Sequence, residues 1–179
     1  LDDHYYTFTA ECWDQVGFKS QYSVDNILVD LTPPDSIINP DGLGWTNVDI
    51  IFSISCIDAS GIDCFTSYKN MDSQDECDAT DLTQANSGYI FCDEGHVCER
   101  KVCYNSVDNL GNTESIQTSN DFLIDKLPPV TNDNSNDECH SLNQTITLSS
   151  SDMGSGFSQT HYCISNNDVT CSPDITTTP

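Results

Sequence analysis

The residues of this chain best suited to chemistry are its ten cysteines and its many aspartates and asparagines. Residues 92–103 place three of those cysteines beside one histidine, and the set is Cys92, His96, Cys98 and Cys103. Tetrahedral zinc accepts sulfur and imidazole ligands of this kind. The cysteines are nevertheless scattered through polar sequence rather than grouped in C-x-x-C pairs, which is typical of chains that oxidise their thiols outside the cytosol. We therefore predict disulfides rather than zinc, in an extracellular or cell-surface protein.

Aspartate and asparagine side chains gather at the predicted turns and domain joints. Their carboxylate and amide oxygens are the donors that calcium prefers. The competing interpretation is structural, because Asp and Asn at turns commonly bond to their own backbone. We predict no cofactor other than calcium, and its candidate ligands are Asp30, Asp58, Asp108, Asn109, Asn112 and Asp125.

No pattern in the sequence indicates catalysis. The chain contains no G-x-S-x-G nucleophile elbow, and its four histidines lie in different sequence contexts. Serine and aspartate are so abundant that chance combinations resembling a triad carry little weight. We expect a protein that is not an enzyme.

The charge of the chain excludes two further classes of function. It has 29 acidic and five basic residues, for a net charge of −24, which repels phosphate backbones and anionic lipid head groups. No segment approaches the roughly 18 consecutive apolar residues that a membrane helix needs. We therefore predict no nucleic-acid binding and no membrane insertion in this segment.

The elements that must position these residues repeat along the chain with a period of about 95 residues. The matched pairs are residues 27–34 with 122–129, residues 50–64 with 144–158, and Asp14 with Asp108. A repeat of this size dictates architecture, because each unit must be able to form the same fold.

The pattern within one unit is that of β-strands. Ile50, Phe52 and Ile54 alternate with more polar neighbours, and the second copy keeps the same parity with Ile146 and Leu148. Such alternation predicts strands that are buried on one face, and Gly-containing turns separate them. Short strands in a unit of this length predict an all-β fold made of β-sandwiches.

Four motifs of the unit resemble a known family. They are a last strand running into Asp-x-x-Pro-Pro, a Trp-Thr-Asn opening, an Asp-x-x-Ser-Gly turn and a Val-Asp-Asn-x-Gly-Asn hairpin. The chain resembles the tandem immunoglobulin-like repeats of prokaryotic surface proteins, particularly cysteine-bearing archaeal ones. The resemblance covers nearly the whole chain and implies a fold and an extracellular location, but fold does not fix function. Two positions depart from it, since residues 14–18 read DQVGF in the hairpin and Cys139 stands where the middle copy has Trp45.

The phase of the repeat divides the chain unequally. Residues 1–30 hold the last strands of one unit, residues 31–125 hold a complete unit, and residues 126–179 hold the first strands of a third. We expect tandem immunoglobulin-like sandwiches, one complete and one split between the two fragments, which a neighbouring copy would complete by strand addition. Head-to-tail joining of this kind does not close, so it propagates as a fibre. The alternative left open is that residues 1–179 are one period of a longer tandem chain.

The cysteines fit this division. The middle unit holds an even number, Cys56, Cys64, Cys77, Cys92, Cys98 and Cys103, and the sequence leaves their connectivity open. Cys163 and Cys171 have hairpin-like spacing and are predicted to pair locally. That pairing leaves Cys139 of one copy for Cys12 of the next, as an interchain or inter-repeat disulfide.

These features predict a structural subunit or repeat unit of an extracellular filament or surface array, whose partners are copies of itself. The alternative is a cell-surface adhesin or ligand-binding module in a long tandem-repeat protein, which would take a glycan or protein ligand. Asn143 begins the sole N-x-S/T triplet of the sequence and is the predicted glycosylation acceptor.

Overall fold

The computed structural model describes residues 4–135, 142–165 and 170–177. These residues form fifteen β-strands in five sheets and contain no helix, so the all-β prediction is confirmed for them. Accordingly, no described segment has the helical length and apolarity that would let it cross a membrane.

The first two strands form the N-terminal ribbon, a hairpin of β1 (His4–Trp13) and β2 (Lys19–Val29). The strands are antiparallel and pair from Trp13 opposite Lys19 to His4 opposite Val29, with an irregularity between Tyr6 and Phe8. Within the described part of the chain, these two strands pair only with each other.

The next nine strands build the middle unit. In chain order they are β3 (Asp35–Asn39), β4 (Leu43–Thr46), β5 (Ile50–Ile57), β6 (Cys64–Asp72), β7 (Thr83–Gln84), β8 (Ser87–Ile90), β9 (Val97–Asp108), β10 (Gln117–Thr118) and β11 (Phe122–Asp125). One sheet has the order β3-β5-β8, and the other has the order β4-β11-β9-β6-β7 with β10 beside β9. All pairs are antiparallel except β4 with β11, which is parallel.

One hydrophobic core lies between these two sheets. Phe52 and Ile90 come from the three-stranded sheet, while Val102, Phe122 and Ile124 come from the six-stranded sheet, and all belong to one buried cluster. Two sheets that share a core in this way are consistent with a β-sandwich, and we call residues 35–125 the middle sandwich.

The strand β5 shows why its sequence folds this way. Ile50, Phe52 and Ile54 are buried while the residues between them are exposed, as the predicted alternation requires. Val48 shares their parity but precedes the strand and is exposed. The inward face therefore begins at Ile50.

Three disulfides brace the middle sandwich: Cys56–Cys64, Cys77–Cys103 and Cys92–Cys98. Cys56–Cys64 joins β5 in one sheet to β6 in the other. A disulfide typically stabilises a small domain by about 2–4 kcal/mol. Because Cys92, Cys98 and Cys103 are all bonded to sulfur, they offer no thiolate to zinc.

The remaining strands form two small sheets. They are β12 (Val130–Asp133) with β13 (Leu148–Ser151), and β14 (Thr160–Tyr162) with β15 (Ile175–Thr177). Cys163 and Cys171 form a disulfide next to the second sheet.

The alternating pattern predicted for the second copy of β5 is realised only in part. The strand begins at Leu148, whereas Leu142 and Ile146 lie in irregular chain and are exposed. The physical reason is the missing partner, because β5 is held between two strands while β13 pairs with β12 alone among the described residues.

Candidate cation site at the first domain joint

Three aspartates from distant parts of the sequence meet where the N-terminal ribbon joins the middle sandwich. Asp30 follows β2, Asp58 follows β5 and Asp108 ends β9. Each is at most 7% exposed, and one carboxylate oxygen from each lies within 4.8 Å of the others. The cluster therefore contains carboxylates from both sides of the joint.

The hairpin after β9 fixes Asp108. Its Oδ1 accepts hydrogen bonds from the backbone N–H groups of Leu110 (2.8 Å) and Asn112 (2.9 Å), and Gly111 adopts a left-handed φ of 95° that closes the turn. The Asn112 side-chain amide donates to Asp108 Oδ2 at 2.8 Å and to the backbone oxygen of Asp30 at 3.1 Å. Asn112 thus ties the hairpin to the end of the ribbon.

The turn after β5 fixes Asp58 and links it to Asp30. Asp58 Oδ1 accepts the backbone N–H of Ser60 at 2.8 Å and also lies against the Ser60 hydroxyl. The same hydroxyl donates to Asp30 Oδ2 at 2.7 Å. A hydroxyl carries one hydrogen, so the Ser60 hydroxyl can donate a hydrogen bond to one of the two carboxylates at a time.

Among the described residues, hydrogen bonds rather than ion pairs compensate Asp58 and Asp108. Burial raises the pKa of Asp108, but the hydrogen bonds from Asn112, Leu110 and Gly111 outweigh burial and hold that pKa below its ordinary value. Asp58 Oδ2 is buried and finds no hydrogen-bond partner among the described residues. In the described ranges, neither Asp58 nor Asp108 forms an ion pair, because the ion pairs found there join other carboxylates to Lys19, Lys69, Arg100 and Lys126.

A group of buried carboxylate oxygens of this kind can hold a hard divalent cation. Calcium binds oxygen donors from carboxylates, amides and backbone carbonyls without demanding a regular geometry. The cluster contains neither sulfur nor imidazole, which are the ligands that zinc favours.

Four of the six residues predicted as calcium ligands come together here, namely Asp30, Asp58, Asp108 and Asn112. Asn109 lies in the same hairpin but is exposed, and its backbone N–H donates to the backbone oxygen of Asp63. Asp125 lies instead at the second joint, where the middle sandwich meets the C-terminal strands.

The second joint repeats part of the same arrangement. Asp125 Oδ1 accepts the backbone N–H of Leu127 at 3.0 Å, and its Oδ2 accepts the Ser155 hydroxyl at 2.7 Å. These bonds match those from Thr32 and Ser60 to Asp30. Hydrogen bonds from Ser155 hold the pKa of Asp125 below its ordinary value.

The aspartate beside Asp125 is Asp152. Its Oδ1 accepts the backbone N–H groups of Gly154 and Gly156, each at 2.9 Å. The second joint therefore carries counterparts of Asp30 and Asp58, while the hairpin that would match Asp108 is the one that contains Asp14. Asp14 Oδ1 accepts the backbone N–H groups of Val16 (2.9 Å) and Phe18 (2.8 Å), as Asp108 does in its own turn.

Ser60, Asp152 and Ser155 belong to these joints but are not among the residues predicted from the sequence. The bond from Ser60 to a carboxylate 30 residues away depends on how the strands pack. For Ser60 the usable signal was its Asp-x-Ser spacing from Asp58, in which the serine N–H and hydroxyl both reach the aspartate.

The other predicted site residues lie apart from this joint. Cys12 is an exposed free thiol in the ribbon, and Cys139 lies outside the described residues, so their pairing stays a prediction. Asn143 is exposed in irregular chain, and its glycosylation also stays a prediction.

No model of a known protein family matches this chain, and neither does any curated protein sequence.

Proposed function

We propose that this protein is a structural subunit or repeat unit of an extracellular filament or surface array, built from immunoglobulin-like sandwiches joined head to tail. The observation that carries this proposal is that positions forming the core of the middle sandwich have exposed counterparts in the regions before and after it. The ribbon and the C-terminal strands hold the counterparts of opposite halves of that core.

The ribbon holds counterparts of the six-stranded sheet. Val102 and Phe122 are fully buried in the middle sandwich. Their counterparts 94 and 95 residues earlier are Phe8, which is 57% exposed, and Ile27, which is 38% exposed. Phe8 and Ile27 would become buried if a sheet equivalent to the three-stranded sheet of the middle sandwich covered this face of the ribbon.

The C-terminal strands hold counterparts of the three-stranded sheet. Phe52 is buried, whereas Ile146, 94 residues later, is 53% exposed. Ile146 and Leu148 line an open groove of about 680 Å³ together with Tyr162 and Ile164. These side chains give the groove an apolar part where a facing sheet would pack, and Asp133, Ser135, Gln144 and Ser165 line the rest of it.

Burial supplies the driving force for joining the two halves. Each large apolar side chain moved out of water contributes about 1.5–3 kcal/mol. A two-stranded ribbon is marginal alone, and its open edges invite pairing with another strand. The middle sandwich separates the two halves within one chain, so the ribbon of one copy and the groove of the next are the partners we favour, and such contacts propagate.

The immunoglobulin-like assignment is supported by the topology of the middle sandwich. Two sheets of three and six strands face each other, and β4 runs parallel to β11 at the edge of an otherwise antiparallel sheet. Sandwiches of about 100 residues with two such sheets are typical of immunoglobulin-like domains. The four disulfides are compatible with an extracellular setting.

The test is the mass of the protein in solution. The wild type should form species larger than its 19.7 kDa chain at micromolar concentration, as measured by light scattering. Phe8→Asp places a charge on the ribbon face that is proposed to be covered and should give monomers. The matched control is Ile51→Asp, which adds the same charge at an exposed position on β5, outside the core, and should still assemble. A wild type that stays at 19.7 kDa at every concentration would overturn the proposal.

A further inference from the structure

We infer that Asp30, Asp58 and Asp108 form a calcium site that ties the N-terminal ribbon to the middle sandwich. The site lies within one chain, so it does not depend on assembly between copies.

Asp58 has one carboxylate oxygen in use and one that is not. This residue is 93% buried, and its Oδ1 is occupied by the backbone N–H and hydroxyl of Ser60. Its Oδ2 is buried and has no hydrogen-bond partner in the part of the chain that the structure describes. Buried carboxylate oxygens in folded proteins almost always have a partner, because desolvating them is costly. A cation among the three carboxylates supplies that partner.

The three aspartates also concentrate negative charge at the joint. Three carboxylates with oxygens within 4.8 Å of one another repel strongly in a buried setting. Ser60, Asn112 and the turn N–H groups satisfy several of the oxygens but carry no positive charge. Basic side chains are scarce in a chain with five Lys and Arg residues, and neither Asp58 nor Asp108 pairs with one in the described part. A divalent cation removes the repulsion that these donors leave.

The chemistry of the donor atoms favours calcium over other cations. All the donors are oxygens, which excludes the soft metals that select thiolate or imidazole ligands. Magnesium demands a near-regular octahedron and gives up water reluctantly, whereas calcium accepts irregular sites. Extracellular calcium modules typically bind with dissociation constants of about 10⁻⁴–10⁻³ M. Calcium is therefore the ion that this joint is suited to hold.

The position of the site gives it a mechanical role. Asp30 belongs to the end of the ribbon, whereas Asp58 and Asp108 belong to loops of the middle sandwich. A cation bound by all three holds the two parts at a fixed distance. The hydrogen bonds of Ser60 and Asn112 to Asp30 also cross the joint, and the cation would add to them.

The experiment measures calcium binding and thermal unfolding of the dilute chain after removal of metal with a chelator. Calorimetric titration should give one calcium ion per chain at this site, and the unfolding temperature should rise as calcium exceeds the dissociation constant. Magnesium at the same concentration should give a smaller rise.

Asp58→Asn separates a ligand from a merely structural residue. It keeps the oxygen that Ser60 contacts but removes the charge, so calcium binding should weaken at least roughly tenfold, equivalent to about 1.4 kcal/mol. The metal-free variant should unfold at the same temperature as the metal-free wild type or higher, since one repelling charge is gone. A structural role predicts instead an equal loss of stability with and without calcium. Asp75→Asn, an exposed position with the same change of charge, should behave as the wild type.

Three results would overturn the inference: a wild type without heat of calcium binding at ~10 mM, a wild type whose unfolding temperature ignores calcium at that concentration, or unchanged binding by Asp58→Asn. If Asp58→Asn does not fold, Asp30→Asn takes its place for the binding measurement alone, because both oxygens of Asp30 accept hydrogen bonds and one of these acceptors is lost in the amide. Failure here leaves head-to-tail assembly standing, because that proposal is tested by mass.

Discussion

The Ser60 hydroxyl donates a hydrogen bond to Asp30 Oδ2 at 2.7 Å, and this contact connects the middle sandwich to the N-terminal ribbon. Removing it with Ser60→Ala should destabilise the joint by about 0.5–1.5 kcal/mol, the usual worth of one such bond. Hydrogen exchange of the β2 amides should become faster, while exchange in β5 and β9 stays unchanged. Ser53→Ala is the control, because the Ser53 hydroxyl is exposed and makes a 3.4 Å contact within one sheet. Equal protection of β2 in Ser60→Ala and the wild type would contradict the linking role.

Asp14 has the hairpin geometry of Asp108 but no Asp58 counterpart beside it in its own hairpin. Head-to-tail joining would bring Asp14 of one copy to Asp125 and Asp152 of the next, and so complete a second calcium site. We expect one calcium ion per chain in monomeric Phe8→Asp and two in assembled wild type, measured by equilibrium dialysis. Asp14→Asn should lower the assembled value to one. One calcium ion per chain in the assembled wild type would contradict the formation of a second site between copies.

Cys12 is exposed and free, so it is available to a neighbouring copy. We predict that it pairs with Cys139 of the next copy under oxidising conditions. Denaturing gels without reductant should then show a ladder that collapses to the 19.7 kDa band when reductant is added. Cys12→Ser should abolish the ladder without abolishing assembly under native conditions, because apolar burial drives joining. A wild type that runs as a single monomer band without reductant would contradict the pairing.

Lys126 and Asp49 form a partly buried ion pair at 2.9 Å. The hydrogen bond from Lys126 lowers the pKa of Asp49 below 3.8, and the hydrogen bond to Asp49 raises the pKa of Lys126 above 10.5. A carboxylate whose pKa is lowered by folding stabilises the folded state at pH values above its unfolded-state pKa. This stabilisation is lost as the pH falls through its folded-state pKa.

The free energy of unfolding should therefore fall as the pH drops below about 4, and the fall should be smaller in Asp49→Asn. Denaturant unfolding from pH 6 down to pH 2 measures this difference, with Asp75→Asn as the matched charge control. Identical pH profiles for the wild type and Asp49→Asn would show that the pair contributes nothing.

Part of the fold could be predicted from the sequence because strands buried on one face show an alternation of apolar and polar residues. Ile50, Phe52 and Ile54 show that period, and the structure buries all three. The same pattern failed to give a strand at Ile146, because alternation reports which face suits a core and not whether a covering sheet is present. The disulfide pairing of the six middle cysteines could not be predicted for the same reason, because pairing depends on tertiary packing. Cys56–Cys64, for example, depends on how β5 and β6 pack.

The candidate cation site could be predicted as a set of residue types but not as a place. Asp58 and Asp108 could be recognised as turn aspartates, yet their approach to Asp30 depends on the packing of two sheets and the ribbon. Ser60 shows the same limit, because its turn was predicted while its bond to Asp30 was not. Local spacing reports local hydrogen bonds, and contacts across the joint depend on tertiary structure.

The measurement that tests the central claim most directly is a mixing experiment with two blocked variants, Phe8→Asp and Ile146→Asp, followed by light scattering. Phe8→Asp keeps a functional groove, and Ile146→Asp keeps a functional ribbon. Each should be monomeric alone, and an equimolar mixture should give a dimer of twice the 19.7 kDa chain mass and no larger species. A mixture that remains monomeric, while the wild type assembles, would contradict the completion of one copy's core by the ribbon of another.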